Sequence, residues 1–379
     1  MINFDNAATT FPKPLTVANA LSDAVKNTGG NPSRGGHAIA IKASQAVYAA
    51  RQNIADFFGV QAENVVFTIN CTHALNFAIK GIMCSGGHVI ISSLEHNSVS
   101  RPVFALAKQN RSVSFSIANV YDDDAKTLSE LERLIKPHTK AIVFTLASNV
   151  TGQITPYREI AKLCRKRKIC FIADGSQLCG AQRINLDADG IDILCTSGHK
   201  GLYGPSGTGV LVSNGRFSIA PIIEGGTGSD SQSLVQTKTL PEALESGTVN
   251  TAGIIALSKG VDFVKKYTPE KIFAEETELC TIFADGLRKI SGYTVYRHDN
   301  ARYAPIVSFN FNDASPETVA RYLDKNGICM RAGLHCAALA HNQLGTKAGT
   351  VRFAPSVFNK KEEVYHTLRI LENTNAFLE

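Results

Sequence analysis

The stretch DGIDILCTSGHKGLYG, residues 189–204, joins an apolar run to a glycine-rich turn that carries a single lysine, Lys200. The apolar part predicts a buried strand, and Lys200 follows where that strand should end. Most lysines lie at the solvated surface, so a surface position is one interpretation. The other is that the strand end desolvates the amine, which lowers its pKa and makes it a nucleophile.

The composition is that of an ordinary globular protein. The 379 residues exceed what one hydrophobic core normally holds, and 44% are hydrophobic against 19% charged. The net charge of +6 is mild, and the densest basic cluster, residues 165–168, is typical of a solvated helix end. We therefore expect two domains and no nucleic-acid partner.

Signals for export, membrane insertion or metal binding are not apparent in the sequence. It begins MINFDNAATT, without a cationic segment followed by an apolar run, and no stretch approaches the ~18 apolar residues of a membrane span. The nine cysteines form no paired zinc spacing, and most lie in apolar runs, as reduced core cysteines do. We expect a cytoplasmic protein with no membrane contact and no metal site.

Seven short apolar runs alternate with helical patterns between residues 64 and 213. Uniformly apolar strands are typical of a parallel sheet covered on both faces, so this part predicts an α/β domain over residues 15–250 with a mostly parallel seven-stranded sheet. After residue 250 the regular alternation of strands and helices stops: a long helical stretch comes first, and strands mixed with helices follow. This predicts a smaller α+β domain from residues 1–14 and 251–379. The predicted strands are residues 64–69, 88–93, 112–117, 141–146, 169–174, 192–197 and 209–213.

Polar side chains follow five of these strands. Ligands of open α/β sheets bind beyond the carboxyl ends of the strands. Any one of these residues is explained as a cap or a turn residue, but five strands ending this way predict a common site. Its candidate residues are Asn70, Thr72, His96, Asn149, Asp174, Gln177, His199 and Lys200.

Asp174 and Lys200 fit one cofactor chemistry. A salt bridge between them is the simpler interpretation. Pyridoxal phosphate sites, however, use a lysine that carries the cofactor as a Schiff base and an aspartate that keeps the pyridinium nitrogen protonated. His96 would then stack on the ring, and Gln177 would donate to its phenolic oxygen.

The cofactor's phosphate needs donors at a helix start. The amphipathic run that begins near Cys71 and Thr72 predicts such a helix, with its positive end toward the phosphate. Ser197 and His199 lie close enough to Lys200 in sequence to add donors. The Gly/Ser-rich residues 224–233 predict a mobile or functional loop.

Seven motifs in one order resemble the cysteine desulfurases, which belong to the class V aminotransferase group of fold-type I pyridoxal phosphate enzymes. The resemblance covers nearly the whole chain and implies conversion of L-cysteine to L-alanine. The motifs are FDNAATT from residue 4, EHNS from 95, ASNVTG from 147, ADGSQ from 173, SGHK from 197, ESGTVNT from 245 and RAGLHCA from 331.

The resemblance also implies roles for individual residues. Lys200 carries the cofactor and removes the substrate's Cα proton, with His96 beside it. Cys336 accepts the sulfur as a persulfide, and Arg331 and His335 near it favour the thiolate. The alternative interpretation, a buried structural cysteine, suits Cys329 better, because Cys329 lies in an apolar strand pattern.

Arg352 is implied to bind the substrate's α-carboxylate, for which its fork of donors is suited, together with Asn149 and Arg331. The implied assembly is a homodimer in which Thr248 and residues 225–228 reach the partner's cofactor. A protein that accepts the sulfur is a further expected partner.

Four places depart from the family pattern. Residues 70–73 read Asn-Cys-Thr-His where the family usually has Gly-Thr-Thr-Glu, Gly201 is inserted, Leu334 replaces a histidine, and residues 353–355 differ from the usual sequence after the arginine. A selenocysteine lyase and another class V lyase or aminotransferase therefore stay open as alternatives. The sequence has no G-x-G-x-x-G after its first predicted strand, which argues against a dinucleotide-dependent oxidoreductase. It keeps Asp174, Lys200, Cys336 and Arg352, which argues against a non-catalytic scaffold.

Overall fold

The computed structural model describes residues 1–32, 35–228 and 232–373. Its helices are α1 (Leu15–Asn27), α2 (Ala38–Phe58), α3 (Cys71–Ile82), α4 (Asn97–Gln109), α5 (Asp124–Leu134), α6 (Tyr157–Arg167), α7 (Leu186–Asp189), α8 (Thr251–Tyr267), α9 (Pro269–Arg288), α10 (Pro316–Lys325), α11 (Ala338–Leu344) and α12 (Lys361–Glu372). Its strands are β1 (Ile2–Asn3), β2 (Val65–Thr68), β3 (Gly87–Ser92), β4 (Val113–Ala118), β5 (Thr139–Thr145), β6 (Cys170–Asp174), β7 (Ile193–Ser197), β8 (Gly209–Ser213), β9 (Tyr293–Val295), β10 (Val307–Phe311), β11 (Ile328–Cys329), β12 (Arg331–Gly333) and β13 (Thr350–Phe353).

The large sheet has seven strands in the order β2-β8-β7-β6-β5-β3-β4. Only β8 runs antiparallel to its neighbours, β2 and β7, and the remaining pairs are parallel. The predicted mostly parallel seven-stranded sheet is therefore confirmed. The predicted strand limits differ from the observed ones by at most two residues.

Both faces of this sheet are buried, because successive side chains of a strand point to opposite sides. In β5, Ile142 packs into the core beneath α2, α5, α6 and α8, whereas Val143 packs into the core beneath α3 and α4. Helix α2 ends at Gly59, whose φ of 72° lies in the left-handed region that glycine adopts freely. The layered arrangement explains why the strands read as continuous apolar runs.

The second sheet is antiparallel, with the order β12-β13-β10-β9. Helices α9, α10 and α12 cover it, and Phe283 stacks on Phe353 with ring centroids 4.1 Å apart. The start of the chain joins this unit, since β1 pairs with β11 and Phe4 is fully buried in the same core. The domain division at residue 250 stays a prediction. None of the described helices is both long and apolar enough to cross a membrane.

A buried carboxyl group, Glu276 on α9, predicts a pH dependence of stability. Tyr203 Oη donates to Glu276 Oε1 at 3.2 Å, and burial raises the pKa of Glu276 to about 8. Because this pKa lies above its value in the unfolded chain, the protonated carboxyl stabilises the fold below about pH 4.5, and that contribution is lost as the pH rises toward 8. We expect Glu276→Gln to gain stability relative to wild type between pH 5 and 8, by at most about 1.4 kcal/mol per pH unit. Urea unfolding at several pH values measures this difference.

The exposed Glu270 on the same helix supplies the control. The difference in free energy of unfolding between Glu270→Gln and wild type should stay constant over this pH range. If the free energies of unfolding of Glu276→Gln and wild type instead change with pH in parallel, Glu276 is ionised in the folded protein over this range.

Candidate active site

A cavity of about 260 Å³ lies at the carboxyl ends of β5, β6 and β7. It gathers thirteen of the fifteen candidate residues named above, and Cys336 and Thr248 are the two that do not line it. The thirteen are Asn70, Cys71, Thr72, His96, Asn149, Asp174, Gln177, Ser197, His199, Lys200, Arg331, His335 and Arg352.

Lys200 lies three residues after β7, half-buried in the cavity wall. Burial lowers the pKa of its amine, and the negative charge of Asp174 opposes this shift. The turn is held by the Thr10 hydroxyl, which donates to the Lys200 carbonyl at 3.1 Å. Lys200 is therefore not a fully solvated surface lysine, and a partly desolvated amine that faces a cavity can act as a nucleophile.

Asp174 ends β6 and is almost fully buried. Its Oδ1 accepts hydrogen bonds from Ser176 N at 2.9 Å and from the Cys71 thiol, with Sγ at 3.5 Å. Among the described residues no donor reaches Oδ2, and no ion pair joins Asp174 to Lys200. The simple salt bridge is therefore wrong, and Oδ2 is available to a cationic group in the cavity.

His96 and His199 are neutral at physiological pH, because burial lowers the pKa of each to about 4. His96 caps α4 by accepting from Ser98 N at 3.0 Å through Nδ1, so its proton is on Nε2. The ring is then free to stack on a flat ligand. His199 Nδ1 is buried, and within the described parts of the chain it has no hydrogen-bond partner.

Helix α3 directs its N-terminus into the cavity. The Asn70 side chain caps it by accepting from His73 N at 2.9 Å. Among the described residues the backbone N–H groups of Cys71 and Thr72 have no acceptor. Together with the helix dipole, these groups can bind an anion.

Arg352 lies on β13 and is 1% exposed. Its Nη1 donates to the Asn149 carbonyl at 2.9 Å, and its Nη2 forms an ion pair with Asp5 Oδ1 at 2.9 Å. Asn149 in turn donates through Nδ2 to the His335 carbonyl at 2.7 Å. Asp5 was not among the predicted site residues, although it belongs to the FDNAATT motif; the structure places it against the arginine.

The loop that carries Cys336 is tightly held. His335 and Cys336 have φ values of 47° and 57°, a conformation that costs energy for residues other than glycine. The Cys336 carbonyl accepts from Asn97 N at 2.7 Å. Cys336 is exposed, and Arg331, which lines the cavity, reaches to within 3.8 Å of its sulfur. The thiol therefore lies beside the cavity.

The expected role of His335 beside this thiol is wrong. The ring is 3% exposed, burial lowers its pKa to about 2, and Nε2 donates to the Thr350 carbonyl at 3.0 Å. A neutral imidazole that points into the protein adds no positive charge near sulfur. Of the two residues predicted to act on this thiol, only Arg331 contacts the sulfur.

Thr248 is exposed, and its hydroxyl accepts from Asn31 Nδ2 at 3.2 Å outside the cavity. Of the predicted functional loop over residues 224–233, residues 229–231 lie outside the described residues. A contact of Thr248 with a partner's cofactor stays a prediction.

Known proteins resemble the chain over nearly its full length. The model of the family "Aminotransferase class-V" matches residues 2–366. A probable cysteine desulfurase of Halalkalibacterium halodurans is 31% identical over 100% of this chain and 94% of its own. One from Methanothermobacter thermautotrophicus is 29% identical over 95% of this chain and 91% of its own.

Solved structures of cysteine desulfurases share the fold. The apo structure from Thermococcus onnurineus NA1 has a TM-score of 0.91 and 30% identity, and the match covers 98% of this chain and 94% of that one. The Escherichia coli enzyme CsdA, in its S-sulfonic acid form, has a TM-score of 0.89 and 25% identity, with 99% of this chain and 94% of that one covered.

Proposed function

The chain belongs to the class V aminotransferase family, and from this premise we propose that it is a cysteine desulfurase, which takes sulfur from L-cysteine and leaves L-alanine. The family resemblance and the fold-type I architecture predicted from the motifs are confirmed. The observation that carries the proposed activity is the exposed Cys336 thiol beside a cavity that contains Lys200, with Arg331 between them.

We propose pyridoxal phosphate as the cofactor, because the groups that line the cavity match its parts. Lys200 would bind its aldehyde carbon, Asp174 Oδ2 its ring nitrogen, and His96 the face of its ring. When bound, the cofactor supplies an electron sink for charge that develops at the substrate's Cα. Its phosphate would be held by the free N–H groups of Cys71 and Thr72 and by Ser197 and His199, and its phenolic oxygen by Gln177.

The chain's own residues then bind substrate and move protons and sulfur. Arg352 holds the α-carboxylate with Asn149 beside it, and Lys200 Nζ, whose pKa is lowered by burial, takes the Cα proton. Cys336 Sγ attacks the substrate sulfur, so that an S–S bond forms as the C–S bond breaks. The substrate L-cysteine thus becomes L-alanine, and the Cys336 thiol becomes a persulfide that carries the substrate's sulfur.

Arg352→Lys is expected to raise the KM for L-cysteine by about 10- to 100-fold, because lysine cannot reproduce the forked contact with a carboxylate. The kcat should change less. Steady-state alanine formation measures both constants, and Arg288→Lys, at an exposed ion pair on α9, is the matched control. An unchanged KM in Arg352→Lys would place the substrate carboxylate elsewhere.

The function is tested on purified protein supplied with pyridoxal phosphate. Visible absorbance from a lysine-bound cofactor, followed by alanine and sulfide in equal amounts when L-cysteine and a thiol reductant are added, is the expected result. L-selenocysteine in a parallel assay reports the preferred substrate. Absorbance without turnover of either would exclude the desulfurase and direct the search to other amino acids.

We also propose a cytoplasmic homodimer that delivers sulfur to an acceptor protein. Apolar side chains exposed near the start of the chain, among them Phe11 (67%) and Leu15 (73%), suit a surface covered by a second copy. The proposal places Thr248 at the phosphate of the partner's cofactor. Light scattering measures the assembly directly.

A further inference from the structure

The first residue of α3, Cys71, contacts the carboxylate that faces the cofactor site. Its side chain is 5% exposed, and Sγ lies 3.5 Å from Asp174 Oδ1. The desulfurase pattern usually has threonine at this position of the phosphate loop. The thiol is therefore a feature of this chain that the proposed reaction does not use.

The two oxygens of Asp174 have different surroundings. Oδ1 accepts both from Ser176 N and from the Cys71 thiol, and no donor from the described residues reaches Oδ2. Two donors on one oxygen fix the rotation of the carboxylate. They also leave the other oxygen for the ring nitrogen.

The Cys71 thiol keeps its proton and so can act as the donor. Burial raises its pKa well above the ordinary value, and the negative charge of Asp174 raises it further. A protonated, buried thiol is inert as a nucleophile. Cys71 therefore differs from Cys336, which is exposed and beside an arginine.

We infer that Cys71 is a positioning residue: its thiol holds Asp174 through Oδ1 so that Oδ2 is presented to the cofactor's ring nitrogen. The inference deepens the proposed function and rests on the cofactor, but it does not depend on which amino acid is the substrate. A hydrogen bond to a charged acceptor is stronger than one between neutral groups, but a thiol is a weak donor, so the expected effect on cofactor affinity is about five- to tenfold.

The hydrogen bond itself is tested by infrared spectroscopy. The difference between wild type and Cys71→Ser isolates one S–H stretching band among the nine thiols. Because a neutral amide accepts more weakly than a carboxylate, Asp174→Asn should move this band to higher frequency. A band in the same place in wild type and Asp174→Asn would overturn the inference. This measurement needs no turnover, so it stands even if the proposed activity fails.

The positioning role is tested by titrating each variant with pyridoxal phosphate and following the absorbance of the bound cofactor and its pH midpoint. Cys71→Ala should bind it about five- to tenfold more weakly and shift the midpoint, whereas Cys71→Ser, which keeps a donor, should stay within about threefold of wild type. Cys195→Ala removes a buried thiol from β7 that does not donate to Asp174, and it should match wild type. If Cys71→Ala unfolds, Cys71→Val supplies a folded variant without a donor. If Cys71→Ala and Cys71→Val both bind the cofactor with wild-type affinity and show the wild-type pH midpoint, Cys71 only fills space.

Discussion

Lys200→Ala is expected to lose the visible absorbance of the lysine-bound cofactor and to lower alanine formation by more than about 10³-fold, because in the proposed mechanism one side chain both anchors the cofactor and moves the Cα proton. Absorbance spectra and product assays on the variant supplied with excess cofactor measure both losses. The half-buried position of the amine in the cavity wall is the basis for this expectation.

Lys13 supplies a stringent control for the lysine experiment. Its Nζ donates to the His199 carbonyl at 2.7 Å, one residue from Lys200, and burial lowers its pKa to about 8. We expect Lys13→Ala to keep the absorbance, since this amine is engaged by the carbonyl. Absorbance in Lys200→Ala and its loss in Lys13→Ala would identify Lys13 as the anchor instead.

Cys336→Ser is expected to keep the cofactor absorbance but to lower alanine and sulfide formation together by more than about 10³-fold. The reason is that a neutral hydroxyl is a far weaker nucleophile than a thiolate. Mass spectrometry of wild type after L-cysteine should find one additional sulfur on Cys336.

Cys84→Ser tests whether any exposed thiol would serve. Cys84 is also exposed, but it follows α3 at the end opposite the cavity. Its substitution should leave product formation at the wild-type rate. Turnover that survives Cys336→Ser would instead indicate lyase or aminotransferase chemistry, neither of which needs a thiol.

The cavity was predictable because its parts repeat one local pattern, an apolar strand followed by a polar residue. Asp174 and Lys200 could be placed together in this way, since the carboxyl ends of β6 and β7 meet at one edge. The order of the strands was not predicted, because alternation of strands and helices is compatible with many orders. The contact of Cys71 with Asp174 depends on that order.

Two site features could not be read from the sequence for other reasons. Asp5 reaches Arg352 only because the start of the chain bridges to Ala354 beside β13, a contact between residues almost 350 apart. His335 is next to Cys336 in sequence, but its positive φ and its bond to Thr350 turn the ring inward. Neighbours in sequence therefore need not share an environment.

The tightly held loop at Cys336 also limits how sulfur can leave the enzyme. Two of its carbonyl groups accept hydrogen bonds, that of His335 from Asn149 Nδ2 and that of Cys336 from the first N–H of α4, and the His335 side chain donates to the Thr350 carbonyl. In the proposed reaction the persulfide sulfur would rotate about the side-chain bonds of Cys336, and moving the loop outward would break these three contacts. We therefore expect the proposed acceptor to reach Cys336 itself rather than to meet a loop that moves out.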